Sequence, residues 1–196
     1  MQERYVGQEF DTLPTGSLDG LVFDQCRFLN VSFLERNTRG STFDRCHFSY
    51  TPFNVSHHRD SAFLNCEFYH ARLFGTIFEH CKMTGSRFVE AQWTGVEIHG
   101  GDWSYCQLKN ARLAKTDFAG ARLTETDFTD ADLRECRFQG ADLSRAILDN
   151  ARLAGADLRG ADISGVDFHA VSLARVTVDF MQTAIIVASL GARIKD

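Results

Sequence analysis

The sequence predicts an all-β solenoid, a four-sided parallel β-helix of about 20 residues per coil, closed by one C-terminal α-helix. Three observations carry this prediction. Counting by fives from Leu13 to Val178 gives 34 positions, of which 32 are large and apolar. The two exceptions, Thr38 and His58, lie 20 residues apart, and Cys26, Cys46, Cys66 and Cys106 are also separated by multiples of 20. The counted run is followed by a dense apolar stretch from Phe180 to Leu190. Self-similarity at a fixed period over such a length marks a repeat architecture.

A period of five suits neither regular helix nor regular strand. On an α-helix each fifth residue turns by about 140°, which scatters the Phe and Leu positions around the axis. On a straight strand each fifth residue changes face. The conflict vanishes if every unit is a short extended segment plus a bend, with four units closing one coil. At roughly 4.8 Å between stacked coils, residues 13–178 make a rod of about 40 Å.

The elements follow in order. Residues 1–12 do not keep the count of five and are expected to form an irregular N-terminal cap. Residues 13–178 are the β-helix, with the counted residue of each unit pointing inward. Two residues earlier the side chain is small, as at Ser41, Ser61, Ala71, Ser86, Ala121, Ala141 and Ala161; it too points inward, where a narrow cross-section has no room for bulk. Arg36 breaks that rule in the unit of Thr38, so the coil face there is expected to be distorted outward. Eleven of the 15 glycines end a unit, a position suited to a corner that needs unusual backbone angles. Residues 179–196 are the C-terminal helix and tail. Asp179 with Gln182 three residues on reads as a capping box, and Gly191 suits the residue after the helix end. The helix is apolar nearly all round, which demands burial on more than one side. One face covers the last coil, and Phe180, Met181, Ile185, Ile186, Val187 and Leu190 are the candidates for contact with a second copy.

Composition limits function. The chain has 26 acidic and 21 basic residues, a net charge of −5, so the basic footprint of a nucleic-acid binder is missing. No apolar run reaches the length of a membrane span, and no secretory signal follows Met1; a soluble, cytoplasmic protein is expected. All six cysteines (Cys26, Cys46, Cys66, Cys81, Cys106, Cys136) occupy the small inward position, where cysteine acts as a small hydrophobe. They read as free thiols in a reducing compartment. His57, His58, His80 and His99 lie near one face, without a spacing that fixes a metal site. No nucleophile–base motif or phosphate loop is present, and a convex rod lacks the concave pocket of an enzyme. The expectation is a protein without catalysis, cofactor, metal, small-molecule substrate, membrane contact or direct nucleic-acid binding. Outward threonines are too scattered for an ice-binding ladder.

Aspartate precedes the counted residue at Asp102, Asp117, Asp127, Asp132, Asp142, Asp157, Asp162 and Asp167. The plain reading is that each carboxylate holds backbone N–H groups at its bend. The functional reading makes them a surface, with Asp102, Asp142 and Asp162 stacked on one face and Asp117 and Asp157 on another.

The units Ala131-Asp-Leu-Arg-Glu135, Ala141-Asp-Leu-Ser-Arg145, Ala156-Asp-Leu-Arg-Gly160 and Ala161-Asp-Ile-Ser-Gly165 resemble the A(D/N)LxX signature of the pentapeptide-repeat family. The resemblance spans about residues 13–178. The uninterrupted repeat, the shift from Phe-rich to Leu-rich units and the apolar C-terminal helix are most similar to the MfpA-type, Qnr-related fluoroquinolone-resistance proteins. The resemblance implies a right-handed quadrilateral β-helix, dimeric through its C-terminal helix. It also implies mimicry of duplex DNA, by which the rod binds DNA gyrase, modulates it and protects it from fluoroquinolones. The carboxylates expected to meet gyrase are Asp127, Asp132, Asp142, Asp157, Asp162 and Asp167. The alternative is a rod-like protein–protein interaction scaffold with a different partner.

Overall fold

The computed structural model describes residues 3–193; the end of the expected tail, residues 194–196, lies outside them. Short strands follow one another as β1 (Arg4–Val6), β2 (Glu9–Phe10), β3 (Val22–Asp24), β4 (Arg27–Phe28), β5 (Asn37–Arg39), β6 (Thr42–Asp44), β7 (His57–Arg59), β8 (Ala62–Leu64), β9 (Glu67–Tyr69), β10 (Ile77–Glu79), β11 (Arg87–Val89) and β12 (Glu97–His99). All pair in parallel with the coil before or after, as in β3–β6–β8 and β5–β7–β10–β12. Beyond His99 the same stacking continues through single bridges, for example Asp102↔Arg122↔Asp142↔Asp162 at 20-residue steps. The chain is therefore the four-sided parallel β-helix that its period requires, followed by α1 (Phe180–Ser189).

The first coil departs from expectation. The segment taken as irregular carries β1 and β2, which pair with β3 and β4 at Arg4↔Val22 and Glu9↔Arg27. Tyr5 stacks on Phe23 with ring centroids 5.1 Å apart, and Phe10 on Phe28 at 4.9 Å. The offset here is 18 residues rather than 20. Tyr5 and Phe10 keep the spacing of five between themselves but sit two residues out of phase with Leu13, so a strict count cannot register them.

Elsewhere the coil follows the unit. Every non-glycine residue with a left-handed backbone ends a unit, from Gln25 (φ 56°) to Arg175 (φ 63°). The corner thus imposes a positive φ on whatever residue the sequence supplies, and glycine relieves that cost at Gly40, Gly120 and Gly160. Inside, phenylalanines stack between coils, with centroids 4.8 Å apart at Phe23–Phe43 and again at Phe43–Phe63. They meet edge-on within a coil, as at Phe43–Phe48 (5.6 Å, 67°). Both are favourable aromatic geometries.

At many positions where the small inward residue is polar, it donates to the carbonyl of a counted residue 23 positions earlier: Thr51 to Phe28 (2.6 Å), Thr76 to Phe53 (2.9 Å), Ser86 to Phe63 (2.8 Å). Cysteine does the same, Cys106 to Met83 and Cys136 to Leu113, each at 3.0 Å. All six thiols are buried and free. Burial pushes the thiols of Cys81 and Cys136 up to about 12.

Thr38 and His58 face each other in register on β5 and β7. The face is not distorted outward as Arg36 suggested. Instead the Arg36 side chain, half-buried, donates to the Gly16 carbonyl (2.7 Å). The two polar residues form a closed inner layer: Thr38 Oγ1 to His58 Nδ1 (2.8 Å), Ser56 Oγ to His58 Nε2 (2.9 Å) and Thr38 Oγ1 to Ser61 Oγ (3.0 Å). His58 also stacks on Phe78. Burial, with His57 adjacent, depresses its imidazole to about 3.

The helix begins with the expected capping box. The Gln182 amide donates to Asp179 Oδ1 and the Asp179 amide to Gln182 Oε1, both at 3.0 Å. The Gln182 side chain is buried and donates onward to the carbonyls of Leu158 and Ala161, so the cap also fastens the helix to the last coils. Ile186, expected to face a partner, is buried on its own rod, and Ile185 packs partly against the same core.

Candidate interaction surface

The four faces are identified here by their outward residues in one coil: Asp102, Gln107, Arg112 and Asp117. The six carboxylates expected to meet a partner do not gather on one of them. Asp142 and Asp162 stack on the Asp102 face, Asp127 bridges Gln107, Asp132 bridges Arg112, and Asp157 follows Arg137 on the Asp117 face. Asp167 lies in the last coil, exposed.

All eight aspartates of the motif hold their own bends. The amide two residues on donates to Oδ1 at Asp102 (3.0 Å), Asp117 (2.9 Å), Asp127 (3.0 Å), Asp132 (3.4 Å), Asp142 (3.0 Å), Asp157 (3.1 Å), Asp162 (2.9 Å) and Asp167 (2.9 Å). Several are further engaged. Asp132, only 7% exposed, takes Arg134 (2.7 Å) and Arg152 (2.8 Å). Arg159 holds the Asp157 carboxyl down to about 2. Asp127 pairs with Lys109 (3.1 Å) and Asp167 with His169 (2.7 Å). At Asp142, partial burial pushes the carboxyl up, but the Ser144 and Thr124 hydroxyls and the Ser144 amide outweigh it and leave it below its ordinary range.

What remains is a smaller acidic surface in the C-terminal coils. Asp142 and Asp162 are adjacent rungs, and among the described residues neither makes an ion pair, although Arg122, paired with Asp102, lies on the rung below Asp142. Asp130 and Asp149 are exposed and stacked at the corner between the Gln107 and Arg112 faces, where the Asp130 amide donates to the Asp149 carbonyl (2.9 Å), and they too lack ion-pair partners among the described residues. The sequence pattern gives no signal for these last two, because they occupy the last two positions of their units rather than the Asp-Leu position.

Next to this surface lies the exposed side of α1. Phe180 is 89% exposed and Met181 75%, with Val187 and Leu190 beside them. Val171, Leu173, Val176 and Val178 below the helix are only partly buried. Among the described residues no helix is long and apolar enough to cross a membrane. His57 and His99, two of the histidines weighed as metal ligands, contact Glu79 (2.9 Å) and Glu97 (3.2 Å) instead.

A parallel solenoid with an uninterrupted five-residue unit and a mixed-charge convex surface is a repeat protein whose surface lies on its faces and ends. A model of the pentapeptide repeat region matches residues 71–146, and one of pentapeptide repeats in eight copies matches residues 136–173. Together they span more than half of the sequence, and the chain belongs to the pentapeptide-repeat family. Among solved structures it is similar to a trypsin-treated form of QnrB1, a plasmid-mediated fluoroquinolone-resistance protein. That match has 18% identity and a TM-score of 0.56, covering 99% of this chain and 98% of that one. It is also similar to HetL, a pentapeptide-repeat protein involved in heterocyst differentiation regulation from the cyanobacterium Nostoc sp. strain PCC 7120. There the identity is 23% and the TM-score 0.49, covering 90% of this chain and 86% of that one. No curated protein matches the sequence.

Proposed function

We propose that this chain is a protein-interaction rod that binds DNA gyrase at the surface gyrase offers to DNA, modulates the enzyme and protects it from fluoroquinolones. The observation that carries the reading is the pair Asp142 and Asp162, stacked on an unbroken ladder with no ion-pair partner among the described residues. Duplex DNA presents dense negative charge, and a rigid acidic face competes for the same basic saddle. Asp167, in register with Gln107, and Asp130 with Asp149 at the far corner of that adjoining face add negative charge to the same coils. The resistance role of QnrB1, on the same fold, supports it. Two copies join through Phe180, Met181, Val187 and Leu190, which brings the acidic coils of both to the centre of one longer rod. The rod does no chemistry.

The turn bonds of all eight motif aspartates favour a second reading, a scaffold for another protein, since those residues are explained without a partner. A supercoiling assay with purified gyrase separates the two. The gyrase reading expects altered supercoiling or relief of drug-trapped cleavage, weaker at high salt. It also expects a marked loss in Asp142→Lys/Asp162→Lys, which swings each copy by four charges. A folded wild-type protein without effect on any gyrase activity leaves the scaffold reading standing.

A further inference from the structure

The ladder that ties successive coils together opens on two adjacent faces midway along the solenoid. On the Asp102 face, Lys82, Asp102 and Arg122 bridge without a break, as do Arg87, Gln107 and Asp127 on the next face. On the other two faces, bridging runs up to Arg72↔Gln92 and Ile77↔Glu97 and resumes only at Arg112↔Asp132 and Asp117↔Arg137. The missing rungs are Gln92–Arg112 and Glu97–Asp117. On the neighbouring rungs of the Arg112 face, Leu73 N donates to Gln92 O (3.0 Å) and Leu113 N to Asp132 O (2.9 Å). Trp93 N has no such bond to the coil above. Gln92 N donates to Ala71 O and Asp132 N to Ala111 O, both at 2.9 Å, whereas Arg112 N does not reach Ala91.

The sequence supplies a cause. Both tryptophans of the chain lie in this coil, Trp93 and Trp103 with ring centroids 6.5 Å apart and Phe88 between 4.7 and 6.1 Å from them. Two indoles need more height than the Leu108, Leu113 and Leu123 that follow. The Asp102 face stays closed because Gly101 (φ +89°) occupies its small inward position, where a Cβ would lie 2.3 Å from the Cys81 carbonyl oxygen. The coil is pinned low on that side and lifted on the other.

The corner where the closed Gln107 face meets the lifted Arg112 face carries a cleft of about 690 Å³, bordered by Arg87, Val89, Glu90, Trp93, Lys109 and Arg112. Three cations face one carboxylate there, in a chain of net charge −5. Arg87 and Lys109 lie 3.6 and 3.1 Å from Glu67 and Asp127, and Glu90 is engaged by His70. Among the described residues Arg112 has no ion-pair partner. The free main-chain groups alternate: Arg112 N–H and Ala91 C=O, then Trp93 N–H and Arg112 C=O. A simple anion satisfies donors alone, whereas an extended peptide satisfies both, as in recognition by added strands.

We propose that this cleft binds an extended acidic peptide segment. Its backbone bonds the open rung at Ala91, Trp93 and Arg112, and its carboxylates meet Arg112 with Arg87 and Lys109. This surface lies at the corner between the Gln107 and Arg112 faces, away from the Asp142–Asp162 ladder on the Asp102 face.

Trp93 is a built-in reporter once the fully buried Trp103 is replaced by Phe. The probe is a pool of capped pentapeptides alternating Asp or Glu with Val, Ile or Thr, compared with a pool carrying Lys at the acidic positions. The expected result is a saturable change in Trp93 emission with the acidic pool. In the wild-type protein, hydrogen exchange at the Trp93 and Arg112 amides should slow at least fivefold, and Arg112→Glu should weaken binding at least tenfold. The proposal is overturned if the acidic pool at millimolar concentration changes neither emission nor exchange, or if the lysine pool or Arg112→Glu protein binds equally well. Should Trp103→Phe not fold, exchange in the wild-type protein decides alone.

Discussion

The solenoid builds the same coil from two kinds of interior. From Phe23 to Phe88 the core is a double pattern of phenylalanines, stacked between coils and edge-on within them, and the small inward positions are mostly Ser, Thr or Cys. From Leu108 to Ile163 leucine dominates and the small position is mostly Ala. Named strands end at His99, after which each face is held by single bridges. The difference is one of interior supply: bulky rings fill the cross-section, and the hydroxyls and thiols beside them donate to the carbonyls of the counted residues, at Phe53 alongside the Ser56 amide. Leu with Ala fills less and leaves the backbone ladder to satisfy itself. The open seam at Trp93 falls at the junction between the two regimes.

The largest effect expected is from a carboxylate placed in either interior. Phe48→Asp and Leu143→Asp should each prevent folding, because a buried unpaired charge costs several kcal/mol; native circular dichroism with a cooperative melt in either variant removes the inward assignment. Truncation sharpens the comparison. Phe68→Ala should cost about 3–5 kcal/mol and Leu143→Ala about 2–5 kcal/mol, with the aromatic half losing more because its ring also leaves stacked partners. Urea denaturation reads the difference, and equal costs mean that the stacking adds nothing.

The polar layer belongs to the aromatic half alone and gives it a pH dependence. Folded His58 titrates near 3, against about 6.5 in an unfolded chain. Between those values the unfolded state binds a proton that the folded state does not. Stability should therefore rise with pH from about 3 to about 6.5 and be complete above that. His58→Phe should flatten that slope in melts taken at pH 4, 5, 6 and 7; an unchanged slope assigns it elsewhere.

Smaller effects follow at the small inward position. Thr76→Val should cost about 0.5–1.5 kcal/mol, since the Phe53 carbonyl loses the Thr76 hydroxyl but keeps the Ser56 amide. Ala146→Ser in the other half should bring no gain. Smallest of all, the six cysteines should resist thiol labelling in the folded protein and all react on unfolding, as burial requires of all six and a raised pKa adds at every one but Cys46, whose thiol the Cys66 hydrogen bond holds lower. Rapid native labelling of any one of them contradicts its place in the core.

The plain reading of the aspartates was legible residue by residue, because a carboxylate one position before an inward residue can reach the bend that follows. The functional reading was less legible, since stacking order is visible in the sequence but neutralisation is not. Arg134 and Arg152 converge on Asp132 from two different coils, and Asp130 and Asp149 meet only through the corner. The count of five likewise recorded thirty-four positions but passed over Tyr5 and Phe10, which the first coil draws in by omitting two residues.

The sequence by itself determined the period, the inward register, the corners and the helix cap. Each is a local rule repeated many times, so a single mismatch cannot hide it. The tertiary structure decided what depends on several coils at once. It set the phase of the first coil, the burial of Ile186, the closed layer around His58 and the partners of each aspartate. It also opened the seam where two indoles and Gly101 tilt one coil against the next. Those outcomes rest on volumes and charges summed between neighbours 18–23 residues apart, and a five-residue unit carries no record of them.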